Sequence, residues 1–144
     1  MKAVSEVLSS SLSRIPDAGL SLLARLGMAG IFWRSGQTKV DGWSVTDGTI
    51  YLFAEEYRLP LLPPEVAAWL AAGAEHLFPV LLVLGLLTRL SALALAAMTL
   101  VIQVFVYPGL WPDHLTWLSA LLLIAVKGAG PVALDALLPS RFRF

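Results

Sequence analysis

Not one cysteine occurs in the 144 residues, which excludes a disulfide framework, thiolate metal sites, thiol redox chemistry and a cysteine nucleophile. Charge is the second scarcity. Only 14% of the residues are Asp, Glu, Lys or Arg, against about 25% in ordinary globular chains, and ten basic residues balance ten acidic ones. A chain with no basic excess lacks the electrostatic footprint of a nucleic-acid binder, so nucleic acid is not expected as a partner. Also missing are a Gly-x-Gly-x-x-Gly turn after a strand, a Gly-Lys-Ser/Thr phosphate loop and a Gly-x-Ser-x-Gly elbow, which removes the usual signals of nucleotide binding and serine hydrolysis. What is present is hydrocarbon: 58% of the residues are hydrophobic and the mean hydropathy is +0.78. A soluble domain this small buries only about 68–70% of the surface of its unfolded chain. The excess has to face lipid, and the composition predicts an integral membrane protein.

Residues 1–16 are polar and Ser-rich, with Lys2 and Arg14 but without the apolar core of roughly 7–15 residues that marks a signal peptide. They read as a short cytoplasmic tail with an amphipathic lead-in through Val4, Val7, Leu8 and Leu12. Four apolar segments follow, at about 18–40, 65–87, 90–107 and 112–128, near the roughly 20 residues a spanning helix needs. The first carries Arg25, Arg34, Gln37 and Lys39. The second starts behind Pro63 and Pro64, where proline is tolerated, and carries Glu75 and His76. The pair Thr88 and Arg89 forms a tight corner before the third segment, which has no charge and only Gln103 as a long polar side chain. The fourth ends at Lys127, Gly128, Gly130 and Pro131.

The stretch 41–64 is long for a plain connection and is broken by Gly42, Gly48 and Pro60. Within it, Tyr51 to Arg58 interleaves apolar and acidic residues and reads as a short amphipathic helix on the outer surface, serving as a seal over the helix ends, a lid or a docking surface. The expected fold is therefore all-α: one domain over 1–144, an integral membrane four-helix bundle with a short amphipathic helix in its first external loop. Tight turns oblige the last three spans to be antiparallel neighbours. Lys2, Arg14, Arg89, Lys127, Arg141 and Arg143 fall on one side of such a bundle, and Arg58 with the boundary residue Lys39 on the other. The positive-inside rule then places both termini in the cytoplasm, as in a multi-pass protein of the inner (cytoplasmic) membrane.

Ionisable groups inside a bilayer are costly and default to paired or functional roles. At about 1.5 Å per residue, Arg25 lies roughly 10 Å up from the inner end of the first span and Glu75 roughly 14 Å up on the second. The two heights agree within one arginine side chain, so Arg25 and Glu75 are expected to form an intramembrane polar pair, either a ligand or proton site or an ion pair that fixes helix register. His76 beside Glu75 is read as a packing histidine or a ligand contact, and Gln103 as interhelical glue or a fourth wall of the same pocket. His76, Glu75 and Gln103 come singly rather than at metal-ligand spacing, so no metal site is expected. A bis-histidine haem within one copy is disfavoured, because His114 lies about half a membrane from His76. The small residues Gly27, Gly30 and Gly36, and the run Ala67 to Ala74, are read as helix-packing surface.

Taken together, Arg25-Leu-Gly27, Phe32, Ser35-Gly36-x-x-Lys39, Leu59-Pro60, Glu75, Gly85-Leu-Leu-Thr88-Arg89 and Leu134-Asp135-Ala-Leu137 resemble the DoxX family of small four-helix bacterial membrane proteins. The resemblance implies association with membrane oxidoreductase assemblies. It makes Gly36, Lys39, Arg89 and Asp135 family-type motif residues and assigns no catalytic residue. With no thiol to carry electrons, redox work here would need a quinone or partner oxidoreductase subunits, inner-membrane or periplasmic. The leading expectation is a membrane subunit with a quinone-sized polar pocket between the first two spans, bounded by Arg25, Glu75, His76 and Gln103. The alternatives are a small transporter or channel, a metal-stress accessory protein, or a non-catalytic assembly or anchor protein, with a second copy as a further partner.

Overall fold

The computed structural model describes residues 17–137; the amphipathic lead-in and the basic residues Lys2, Arg14, Arg141 and Arg143 lie outside that range. The order of elements is α1 (Asp17–Gln37), a two-residue hairpin of β1 (Val40–Asp41) and β2 (Ser44–Val45), α2 (Asp47–Leu52), α3 (Pro64–Leu84), α4 (Thr88–Val101) and α5 (Trp111–Lys127). Helix α2 continues into a wide π turn over Phe53–Tyr57, and α4 into another over Ile102–Val106. Among the described residues, three stretches are long and apolar enough to cross a membrane: Pro64–Leu84, Thr88–Val106 and Pro108–Lys127. Helix α1 has the length, 21 residues, but Arg25, Arg34 and its glycines dilute its apolar character.

Local chemistry sets the boundaries. Asp17 in the first turn of α1 and Arg34 in its last complement the helix dipole. Thr46, in extended conformation, caps α2 by accepting the Thr49 N–H at 3.1 Å. Pro64 opens α3, where its missing N–H costs nothing. Gly85 closes α3 with φ +66, and the Leu86 N–H returns to the Leu81 carbonyl at 2.9 Å. That is the left-handed helix stop that glycine makes cheap. The corner into α4 therefore sits at Gly85–Leu87, slightly before the Thr88-Arg89 position that the sequence indicates.

Helix α1 packs on α3 and α5, and α4 packs on the same two. Met28, Phe32, Leu82, Leu95, Leu121 and Ile124 fill the space between them. One end of this arrangement, the terminal end, carries Asp17, Gly85, Arg89, Lys127 and Asp135. The other, the loop end, carries the hairpin and α2.

The two ends differ because α1 and α3, each 21 residues long, are offset along their axes. Gly36 lies against Glu75 and His76 of α3, so α3 runs on past the end of α1 by the eleven residues from Glu75 back to Pro64, about 16 Å. The hairpin, which the sequence reading did not anticipate, and the α2 segment occupy the space beside this overhang. Val45 and Phe53 pack on Ala67, Ala68 and Ala72 in a second apolar cluster. The alanine run of α3 thus accommodates the loop rather than another long helix.

A Cβ on Gly36 would lie 2.9 Å from His76 Cε1 and 3.1 Å from Glu75 Cβ, whereas one on Gly27 meets nothing within 4 Å. Gly36→Ala is expected to lower the thermal midpoint of the detergent-solubilised protein, by the ~1–3 kcal/mol typical of overpacking. Gly27→Ala should hold or raise it through helix propensity. Equal midpoints for the two variants would remove the role assigned to Gly36 in setting the α1–α3 contact.

Candidate functional site

Arg25 and Glu75 do not pair. That expectation sets the start of the first span at the inner membrane boundary and the start of the second at the outer one, roughly 30 Å away, and the overhang of α3 breaks the assumption: Glu75 is level with Ser35–Lys39, and Arg25 with Leu82–Val83. Arg25, 1% exposed, instead donates to four backbone carbonyls. Nε reaches Leu82 at 2.7 Å, Nη2 reaches Val83 at 2.9 Å, and Nη1 reaches Ala129 at 2.8 Å and Val132 at 3.0 Å. The first two are among the last four carbonyls of α3, of which that of Leu82 also takes the Gly85 N–H at 3.2 Å, and the helix dipole favours a cation there. The other two belong to the segment after α5. Ser21 adds a bond to the Gly128 carbonyl at 2.6 Å.

Asp135 closes the same end. Its carboxylate accepts the N–H groups of Leu87 and Thr88, each at 2.9 Å, while its own N–H donates to the Gly85 carbonyl at 2.8 Å. It therefore caps α4 from a distant part of the chain, where the helix has no capping side chain of its own. Arg89 lies at this end as well, over Gly128 and in one cavity with Asp135, whereas Gly36 and Lys39, grouped with them as family-type positions, lie toward the loop end.

Glu75 is held by α1. Ser35 Oγ donates to Oε1 at 3.1 Å, and Lys39 Nζ stands 2.7 Å from Oε2. The Lys39 ammonium also donates to Ser35 Oγ at 3.1 Å. Its approach to Oε2 is an ion-pair contact without hydrogen-bonding geometry, so Oε2 is buried with its acceptor capacity unused. Pro79, four residues further along α3, also has no N–H to give the Glu75 carbonyl. That spacing is a signal the sequence contained.

His76 points elsewhere. Its Nδ1 lies 2.7 Å from the Ala72 carbonyl, which can only accept, so Nδ1 carries the proton and Nε2 accepts from Gln37 Nε2 at 2.8 Å. The ring meets Trp33 edge-on at 5.0 Å. It is a contact between α1 and α3. Gln103 donates to the Pro108 carbonyl at 2.9 Å, and its Oε1 lies 2.6 Å from His114 Nδ1. His114, 2% exposed and edge-on to Trp117, was placed at the outer boundary by counting along the helix. The fold turns it inward.

Glu75, Ser35, Lys39 and His114 share one cavity of about 500 Å³ in the loop-end half of the protein. The alanine face of α3 (Ala67, Ala71, Ala74) makes room for it, and both π turns line it, through Phe53 and Tyr57 on one side and Ile102 and Val106 on the other. Such turns widen a helix and recur at functional sites. The first ends in Tyr57 and the second is followed by Tyr107, and the two rings meet, with hydroxyls 3.4 Å apart and Tyr107 donating to Glu56 at 2.9 Å. Burial, reinforced by Tyr107, pushes the Tyr57 phenol above its usual range, which keeps it a neutral hydrogen-bonding group. Neither Arg25 nor His76 lines this cavity, and Gln103 reaches it only through His114. Among the described residues, no three His, Asp or Glu side chains cluster as metal ligands.

A model of the family described as DoxX matches residues 20–108. The chain belongs to the DoxX family. A Haemophilus influenzae protein, named only as an uncharacterized protein, is 34% identical over 139 aligned residues, covering 84% of this chain and 85% of its own length. No solved structure matches the chain. The matched region of this DoxX membrane protein takes in Arg25, Gly36, Lys39, Glu75, His76, Arg89 and Gln103. It stops before His114 and Asp135.

The two buried charges should therefore respond differently to removal. Arg25→Met leaves several buried carbonyls unpaired and should cost about 3 kcal/mol or more, at roughly 1–3 kcal/mol per orphaned group. Arg25→Lys should restore little, since an ammonium lacks the planar fork that spans two segments. Glu75→Gln keeps the shape and the Ser35 contact and should fold near normally. Thermal unfolding in detergent measures all three, and an unfolding midpoint for Arg25→Met equal to that of Glu75→Gln would count against this division of roles.

Proposed function

We propose that this DoxX protein is a four-helix inner-membrane subunit, one domain with both termini in the cytoplasm, whose loop-end cavity holds a quinone-type molecule for a membrane oxidoreductase. The observation that carries the reading is the cavity floor: Glu75 Oε2, buried and without a hydrogen bond, beside the Lys39 ammonium and the Ser35 hydroxyl. Its volume, about 500 Å³, falls within the roughly 300–1,000 Å³ of small-molecule pockets, which combine mostly apolar walls with a few polar groups. Leu62, Leu70 and Leu110, all exposed, rim the cavity, so an apolar tail would leave toward the lipid.

The residues present fit such a head group. A bound quinone would supply two-electron, two-proton interconversion of carbonyl and hydroxyl. Lys39 and Ser35 are donors for a carbonyl oxygen, and Glu75 Oε2 is an acceptor for a hydroxyl or a station for its proton. Because His114 Nδ1–H is committed to Gln103, its Nε2 is the accepting nitrogen. Electrons in this reading come from a partner subunit, since the chain has no cysteine. A transport role has less support: toward the terminal end from Glu75, the interior is filled by Phe32, Leu82, Leu95 and Leu121.

Trp117 lines the cavity and provides the readout. A decyl-benzoquinone added to the purified protein should quench tryptophan fluorescence saturably. Glu75→Gln should weaken binding about tenfold, the loss of a charge-assisted hydrogen bond, and Ala71→Leu, which fills the cavity, should abolish it, with both variants monodisperse and helical. Quenching that does not saturate, or that is the same in all three proteins, would overturn the reading. Loss of folding in parallel with binding would make the Lys39–Glu75 contact purely structural.

A further inference from the structure

We propose that the terminal end carries a binding site for a phosphate-bearing anion, the headgroup of an anionic phospholipid, built from Arg89 and Lys127. The two side chains line a second cavity, about 420 Å³, together with Gly128, Gly130 and Pro131. It lies at the opposite end of the molecule from the Glu75 cavity and does not depend on what that cavity holds.

Three observations support it. First, Arg89 makes no hydrogen bond or ion pair with any described residue. Its guanidinium lies over Gly128, whose φ of +77 and lack of a side chain make the platform: a Cβ there would sit 3.3 Å from Nε. Second, Arg89 forms no ion pair with Asp135, the carboxylate that lines the cavity, whose two oxygens are turned to the backbone N–H groups of Leu87 and Thr88. Third, Lys127 is only loosely engaged. Its contact with Asp17 is 3.0 Å long between side chains 51% and 72% exposed, the kind of surface pair an anion can displace.

Position selects the source of the phosphate. Arg89 is the second residue of α4 and Lys127 the last of α5, at the ends of the stretches Thr88–Val106 and Pro108–Lys127 that have the length and composition of a membrane span. The cations therefore stand where apolar helix surface stops. Leu90, Leu93 and Val126, all exposed, continue from them as a surface for acyl chains. Basic pockets between helices at the cytoplasmic face are suited to lipid phosphates, and a guanidinium fork matches phosphate oxygens in pairs.

The test uses the full-length protein in neutral phosphatidylcholine bicelles, with and without phosphatidylglycerol, reading the thermal midpoint and the lipids retained in native mass spectrometry. Phosphatidylglycerol should raise the midpoint and be retained. Arg89→Gln should lose about tenfold in retention, Lys127→Gln less, and Arg89→Lys should recover part of it. Arg58→Gln, at the loop end, serves as the charge control and should change nothing. Stabilisation by millimolar inorganic phosphate as strong as by the lipid would keep the anion site and assign it a soluble ligand. No response to either, or a response that survives in an Arg89→Gln/Lys127→Gln double variant still folded by circular dichroism, would overturn the proposal.

Discussion

The Arg25 guanidinium organises the terminal half of this protein. It is an ionised group 1% exposed that forms no ion pair with a carboxylate among the described residues; its charge is met by carbonyl dipoles from the end of α3 and from the segment after α5. Those carbonyls need donors, since a helix leaves its last four unpaired and lipid offers none. One side chain thus answers two liabilities, its own desolvation and the open end of a neighbouring helix. By reaching the 129–132 segment it also brings Asp135 to the N-terminus of α4. Gly85 is the hinge of this arrangement, since a side chain there would collide with Ala133 and with the guanidinium.

With the terminal end tied in this way, the offset between α1 and α3 decides the other half. Helix α1 stops at the level of His76, and the remaining turns of α3 stand beside short loop elements instead of a fourth long helix. Small side chains on that part of α3 let Val45 and Phe53 approach, yet a hairpin and one turn of helix cannot fill the volume a full helix would. The cavity is what remains, and Lys39, just past the end of α1, bends back to neutralise the buried Glu75 at its floor.

Much of the fold could be read from the chain. The apolar runs set the long helices to within a few residues, Gly128 marked a stop, and the amphipathic stretch after Tyr51 contained a helix. Of the site, Glu75 and Lys39 were legible as intramembrane charges, but their partnership was not. Charge pairing by depth needs the relative height of two helices, and nothing local encodes that height: Gly36 specifies that α1 can approach closely, not which residue of α3 it meets. The inward turn of His114 was equally hidden, because Gln103, which holds it, lies on another helix.

The sequence by itself determined that the chain belongs in a membrane, where its helices run and which charges must be compensated there, because composition and periodicity act through the solvent and the nearest turns. Only the tertiary structure decided who compensates whom. Arg25 is satisfied by carbonyls and Glu75 by Lys39 because helix register, fixed by packing across segments distant in sequence, sets which groups come within 3 Å.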